Sequence, residues 1–98
     1  MEFEIDFSPR ARANLKRLRK PDQQMILDTI SQQLPHQPDH STRHRKRLEE
    51  NPLAPWELRV GNWRVFYDVD AGKKLVAVLA IGYRVHNVLK IGDEEITI

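Results

Sequence analysis

The 98-residue sequence contains no cysteine, which excludes a disulfide framework and a zinc–thiolate site. It also lacks any apolar run approaching the roughly 18 residues of a membrane-spanning helix. The first ten residues, MEFEIDFSPR, do not have the basic and then apolar order of a secretory signal. With 40% hydrophobic and 31% charged residues, the chain is expected to be one small cytoplasmic domain spanning residues 1–98.

The net charge of +2 is distributed unevenly along the chain. Basic residues are concentrated in residues 10–20 and again in residues 43–47, whereas residues 93–95 are acidic. Basic clusters of this kind can contact nucleic acid. For residues 10–20 we favour the simpler interpretation that the basic side chains form the solvated face of a helix.

The segment WELRVGNWRVFY, residues 56–67, predicts a β-hairpin around the two-residue turn Gly61-Asn62. This turn fixes the register, so that Arg59 lies opposite Arg64. Because side chains alternate along a strand, one face is apolar and is expected to be core. That face carries Trp56, Leu58, Val60, Trp63, Val65 and Tyr67. The other face carries Glu57, Arg59, Arg64 and Phe66.

Two arginines are therefore predicted to face each other on the polar side of this hairpin. The Cβ atoms of Arg59 and Arg64 should lie roughly 5 Å apart, a placement that costs stability. A polyanion held between the two guanidinium groups would explain this cost. In the alternative interpretation, Glu57 on the same face neutralises them and the cluster is only a solvated surface.

The N-terminal part of the chain predicts one strand and two helices. Acidic and apolar residues alternate over residues 2–7, which predicts a strand with one buried face and one solvent-exposed face. Ser8 and Pro9 mark a helix start, with serine as the N-cap and proline at the first helical position. Pro21 can open a second helix but cannot lie inside the first without a kink, and the second helix is expected to run to about Leu34.

The C-terminal part predicts further strands. Residues 75–81 are apolar at both odd and even positions, so both faces of the predicted strand are apolar. This pattern is typical of a central strand covered on both sides. Residues 88–91 and 95–98 are candidate short strands around a turn at Gly92-Asp93. The predicted class is α+β in β-α-α-β-β-β order, with a small antiparallel sheet and an N-terminal α-hairpin packed on one face.

Residues 35–41 form a predicted loop, because two prolines and several polar residues dominate them. His36, His40 and His44 have a spacing that could bind zinc on a helix, but Pro38 argues against a helix there. No metal site is therefore expected. The basic segment that follows, residues 42–48, is either a short edge strand or an extended arm.

The basic stretch RHRKRL (residues 43–48), the segment PWELRVGNWRVFYDVD (residues 55–70) and AIGYR (residues 80–84) occur together. This combination resembles the RelE/ParE toxin superfamily of bacterial toxin–antitoxin modules. The resemblance implies a small toxin silenced by an antitoxin wrapped around it. In the RelE-like branch, which we favour, the toxin enters the ribosomal A site and cuts mRNA without a metal or other cofactor. In the ParE-like branch it inhibits DNA gyrase.

Carried over residue by residue, the resemblance implies that Arg59, Arg64 and Arg84 are catalytic. Arg64 matches the arginine of the second hairpin strand, and Arg84 matches the arginine just past the last core strand. Arg59 falls where the family often has a basic residue. Two features differ from the family's pattern: Glu57 occupies a position that is basic in the best-known member, and the tail VHNVLKIG lacks the usual aromatic residue.

Metal-free RNA cleavage uses the 2′-hydroxyl as the nucleophile, and arginine forks stabilise the negative charge of the phosphorane. A base and an acid must also move protons. His86 is the histidine nearest to the arginines in sequence, and the pKa of an ordinary histidine, about 6.5, suits either role. The alternative is a surface histidine. Glu57 is a weaker candidate base, since nearby arginines favour its ionised form.

The remaining predicted contacts position RNA rather than cut it. Phosphate contacts are expected from Arg43, Arg45, Lys46 and Arg47. Tyr83 either stacks on an unpaired base or covers the sheet edge. The expected partners are a cognate antitoxin, the ribosome and mRNA, with operator DNA bound only through the antitoxin and no membrane. Gyrase inhibition and non-catalytic RNA binding stay open as alternative functions.

Overall fold

A computed structural model describes residues 2–97 as a seven-stranded sheet with two helices on one face. The elements are β1 (Glu4–Phe7), α1 (Pro9–Lys16), α2 (Lys20–Gln33), β2 (Arg45–Arg47), β3 (Trp56–Val60), β4 (Trp63–Asp70), β5 (Leu75–Val85), β6 (Val88–Ile91) and β7 (Glu94–Ile96). The α+β class is confirmed. Three observed strands, the edge strand β2 and the pair β6–β7, are additional to the predicted β-α-α-β-β-β order. They form in the segments that are candidate strands in the sequence. Residue 98, in the last of these segments, lies outside the described residues.

Both helices begin where the sequence predicts. Ser8 is the N-cap of α1, and its Oγ accepts a hydrogen bond from the amide of Ala11 at 3.0 Å. Pro9 and Pro21 occupy the first turns of α1 and α2, where a missing N–H leaves no hydrogen bond unmade. The helices bury Ala11, Ile26 and Ile30 in the core, and the C-cap residue Leu34 is buried with them.

The central hairpin has the predicted register. Its cross-strand pairs are Trp56–Tyr67, Glu57–Phe66, Leu58–Val65, Arg59–Arg64 and Val60–Trp63. Gly61 has φ +60°, a conformation that this type of turn requires and that glycine adopts without strain. The predicted apolar face packs beneath the helices, with Trp63 half-buried at its margin. The other face of the hairpin is therefore free to form a site.

Strand β5 is longer than predicted and organises the sheet. One of its edges pairs antiparallel with β4, while the other pairs parallel with β1 over residues 75–78 and antiparallel with β6 over residues 83–85. Part of this edge of β5 lies between the segment that pairs with β1 and the segment that pairs with β6. There, two side chains form hydrogen bonds to the backbone of β5, one at the N-terminal end of α1 and one within α1. Ser8 Oγ donates to the carbonyl of Leu79 at 3.0 Å, and Asn14 Oδ1 accepts from the amide of Ile81 at 3.0 Å.

The face of the sheet opposite the helices carries a second, smaller core. Its buried members are Ala54, Phe66, Ala80, Leu89 and Ile91. Gly82 lets β6 approach β5 closely, because a Cβ atom there would lie 2.6 Å from the carbonyl oxygen of Lys90 and 2.7 Å from the side chain of Ile91. Beside this core, the same face opens into a cleft.

Candidate functional site

A cleft of about 590 Å³ lies on the face of the sheet away from the helices. Its lining includes five basic residues, Lys46, Arg47, Arg59, Arg64 and Arg84, and three acidic residues, Glu49, Glu50 and Glu57. The strand register explains why the three arginines share one face. Arg59 pairs with Arg64, and Arg64 pairs with Gly82. Because side chains alternate along a strand, Arg84, two residues after Gly82, lies on that same face. The structure thus brings the three candidate catalytic arginines into one cleft.

Glu57 is the buried acid of this cleft, with only 3% of its surface exposed. Its Oε2 lies 3.3 Å from Nε of Arg59, and its Oε1 lies 3.8 Å from Nε of Arg64. A buried carboxylate requires such partners, because removing it from water is costly. Glu57 therefore neutralises part of the arginine charge, but the cluster is a partly buried site and not merely a solvated surface.

Arg64 is largely enclosed, with 12% of its side chain exposed against 46% for Arg59. Its Nη1 donates to the carbonyls of Gly61 at 2.8 Å and Trp63 at 2.9 Å, which fixes the guanidinium. Its Nε is buried and has no hydrogen bond to another described residue. Burial lowers the pKa of Arg64; Glu57 opposes this shift, while the other two arginines add to it. This excess of positive charge is suited to an anion.

Comparison with known proteins identifies the family. The model for the ParE toxin of type II toxin–antitoxin systems, parDE, matches residues 5–88. The chain belongs to this toxin family. Its predicted place in the RelE/ParE superfamily is thereby confirmed.

Solved toxin–antitoxin complexes share the fold of this toxin. The RelBE2 complex from Mycobacterium tuberculosis matches at 21% identity over 86% of this chain and 100% of the other, with a TM-score of 0.73. The archaeal RelE–RelB complex from Pyrococcus horikoshii OT3 matches at 21% identity over 86% of this chain and 97% of the other, with a TM-score of 0.68. A search of curated protein sequences gave no significant match.

Arg45 corrects one prediction for the basic segment. Cross-strand pairing with Leu58 places Arg45 on the core side of β2, where it is 8% exposed. Its Nη1 donates to the carbonyls of Gln33 at 3.0 Å and His36 at 2.7 Å. Because a basic side chain at a helix C-terminus can satisfy the last carbonyls, Arg45 secures the end of α2. It is not available to bind a phosphate of RNA.

The other basic residues of this segment remain accessible. Lys46 pairs with Glu57 across β2 and β3 and lines the cleft. The guanidinium of Arg47, which also lines the cleft, lies 5.7 Å from the ring centroid of Trp56. Arg43 is exposed just before β2. Contact between RNA and these three residues remains a prediction.

His86 and Tyr83 lie outside the cleft of the toxin, in contrast to the roles predicted for them. His86 follows the end of β5, has φ +56° and begins the exposed two-residue turn to β6. Tyr83 lies on the opposite face, where its ring packs edge-on against Trp63 at a centroid distance of 4.7 Å. The structure therefore favours a surface histidine. Tyr83 packs on Trp63 and does not cover a sheet edge, because β5 pairs with both β4 and β6 at this position.

The pairing of Lys46 with Glu57 is the feature that sequence reasoning underestimated. Without the β2–β3 register, Glu57 is only a weak candidate, and Lys46 is one basic residue among several.

Across residues 2–97, no group of three or more His, Cys, Asp or Glu side chains is placed to hold a metal ion. Over the same residues, no helix is long and apolar enough to cross a membrane.

Proposed function

We propose that this toxin is a ribosome-dependent endoribonuclease that cuts mRNA in the cytoplasm without a metal ion and is silenced by a cognate antitoxin. The observation that carries the proposal is the convergence of Arg59, Arg64 and Arg84 around the buried Glu57 in one cleft. Two of the similar solved structures are the RelBE2 toxin–antitoxin complex and the archaeal RelE–RelB complex. Their fold supports the RelE-like activity and the antitoxin partner.

The proposed reaction begins with attack of a ribose 2′-oxygen on the adjacent phosphorus. The bond from phosphorus to the 5′-oxygen then breaks, leaving a 2′,3′-cyclic phosphate and a 5′-hydroxyl. Negative charge on the phosphoryl oxygens increases in the transition state. Arg59 and Arg64 already make hydrogen bonds at the cleft, and Arg84 lines the same cleft, so these guanidinium groups can stabilise that charge with little reorganisation.

Glu57 is the proposed base for the 2′-hydroxyl proton. It is the carboxylate that contacts Arg59 and Arg64, so it lies in the same cleft as the phosphate that these arginines would hold. Lys46 lies opposite Glu57 and is the proposed source of the proton for the 5′-oxygen. A lysine can give up a proton in a protein site, whereas an arginine holds its proton far more tightly.

The test is a cell-free translation reaction with a defined message, in which cuts are mapped by primer extension with and without ribosomes. Arg64→Ala should lower the cleavage rate by roughly 10²–10³-fold, the loss typical of a removed charge-stabilising donor. Arg10→Ala is the matched control, because Arg10 is exposed on α1 and does not line the cleft. An Arg64→Ala variant that cuts at the wild-type rate would contradict the proposal.

Gyrase inhibition is the second candidate, because the family model that matches is described as ParE. A supercoiling assay with purified gyrase separates the two activities. Inhibited supercoiling together with an intact message would replace the nuclease proposal. Blocked translation with an intact message, and RNA binding that weakens with salt, would instead indicate the non-catalytic RNA-binding module.

A further inference from the structure

A second cavity adjoins the arginine cleft. It has a volume of about 440 Å³, within the roughly 300–1,000 Å³ range of small-molecule sites. Residues 47–51 line both cavities. The two spaces therefore form a continuous groove along the connector between β2 and β3, with the arginine cluster at one end.

The far end of this groove has a different chemistry from the arginine cleft. Residues 47–51, which include Arg47, Glu49 and Glu50, line both parts of the groove. The lining that belongs to the far end alone is the apolar set Leu53, Ala54, Pro55 and Leu79 and the carboxylate of Asp68. Apolar walls suit the flat face of a base, while carboxylates accept hydrogen bonds from amino groups at its edge. The groove thus combines a phosphate-binding end with an end suited to a nucleobase.

The connector that walls the second cavity is held in one conformation by Asn51. Its Nδ2 donates to the carbonyls of Glu49 at 2.7 Å and Ala54 at 2.9 Å. Its Oδ1 accepts from the amides of Leu53 at 2.8 Å and Ala54 at 3.1 Å. A wall fixed in this way reduces the ordering cost of binding a ligand.

Asp68 is the carboxylate placed best to read the edge of a base. It follows Arg64 and Phe66 at alternate positions of β4 and therefore lies on the cleft face. Its Oδ1 accepts a hydrogen bond from the amide of Val69 at 2.8 Å. This bond orients the carboxylate and leaves Oδ2 to accept a hydrogen bond from a ligand.

We propose that the second cavity binds the nucleobase next to the phosphate held by the arginines, and that it prefers a base with an exocyclic amino group over uracil. An ionised carboxylate only accepts hydrogen bonds. Cytosine offers it an amino group, whereas uracil has a carbonyl oxygen at the same position and would set lone pairs against the carboxylate. This inference rests on the proposed function in one respect, because it takes the bound anion to be a phosphate of RNA.

The test compares cytidine 3′-monophosphate with uridine 3′-monophosphate, which differ in the amino or carbonyl group at C4. Each is titrated into the full chain and followed by amide NMR shifts. Cytidine 3′-monophosphate should bind about tenfold more tightly, the factor expected for one hydrogen bond to a charged group. The amides of Ala54 and Leu79 should shift on binding.

Asp68→Asn should remove this preference, because a carboxamide can also donate to the uracil carbonyl. Asp28→Asn is the control, since Asp28 is an exposed aspartate on α2 and its loss changes the net charge equally. Arg64→Gln should weaken both nucleotides by the same factor through their phosphate.

Equal affinities for the two nucleotides, no binding of either, or an Asp68→Asn variant with an unchanged preference would each overturn the inference. These outcomes are distinct from failure of the nuclease proposal, because no cleavage is measured. A preference that Asp68→Asn abolishes would support the base site even if messages stay intact. An Arg64→Gln variant with wild-type affinities would contradict the phosphate-binding role of the arginine cleft but not the base-binding role of the second cavity.

Discussion

Replacing Glu57 by glutamine separates a catalytic base from a counter-ion. Glutamine keeps the size of the side chain and an oxygen for Arg59, 3.3 Å away in the wild type, but it has no negative charge. If Glu57 is the base, cleavage should fall by about 10²–10⁴-fold, the usual contribution of general acid–base catalysis. RNA should nevertheless bind more tightly, because the cleft loses one of its three acidic residues.

The gain in affinity follows from Coulomb's law. A phosphate whose neighbouring 2′-hydroxyl is within hydrogen-bond reach of Glu57 would lie about 5 Å from its carboxylate, where removing one like charge is worth roughly 0.8–3 kcal/mol between effective dielectric constants of about 80 and 20. That is about a four- to 160-fold change in Kd. Affinity is measured by fluorescence anisotropy with an RNA made uncleavable by a 2′-deoxy nucleotide, and cleavage is measured by primer extension.

A Glu57→Gln variant that binds more tightly and also cuts at the wild-type rate or faster would refute the assignment of the base. Glu57 would then be only a counter-ion that positions the arginines. Glu94→Gln is the charge control, because Glu94 is exposed on β7 and does not line the cleft. Circular dichroism of each variant confirms that the comparison is made between folded proteins.

Three further predictions concern stability, measured as the free energy of unfolding in urea unless stated. Gly82→Ala should cost about 1–3 kcal/mol, because the added Cβ would lie 2.6 Å from the backbone of β6. Gly72→Ala is the control and should be near neutral, because its added Cβ would have its nearest contact at 3.5 Å. Arg45→Met should cost about 1–3 kcal/mol by leaving carbonyls at the end of α2 unpaired, and an altered salt dependence of RNA binding would contradict its structural role. The hydrogen bond from Arg17 lowers the pKa of Asp93, so their ion pair stabilises the fold above the ordinary carboxyl pKa and is lost as pH falls through the lowered value. Thermal melts of the wild type and Asp93→Asn should therefore converge between about pH 5 and about pH 2, and a constant difference would contradict this.

The hairpin could be read from sequence because its information is local. A two-residue Gly61-Asn62 turn fixes which residues face each other, and alternation then assigns every side chain to a face. The position of Arg59 opposite Arg64 follows from that register alone. The helix starts at Ser8 and Pro21 were predictable for the same reason, since capping and proline geometry act within one turn.

The misplaced residues depend on information that is not local. A run of basic residues does not reveal which of them faces the core, and only pairing with Leu58 shows that Arg45 does. His86 would share a face with Arg84 if β5 continued, but the strand ends at Val85 and a turn redirects the chain. The parallel pairing of β1 with β5 likewise joins segments far apart in sequence.

The pairing of β1 with β5 also sets the order in which a new copy of the toxin can fold. Glu4 pairs with Leu75, so the first strand waits for a partner made much later, and contacts of such long range form slowly. The same late strand carries Arg84. A nascent chain arrested before Leu75 should therefore stay sensitive to protease and lack part of its cleft. A ribosome making this toxin would thus not face a complete arginine cleft until β5 has been synthesised.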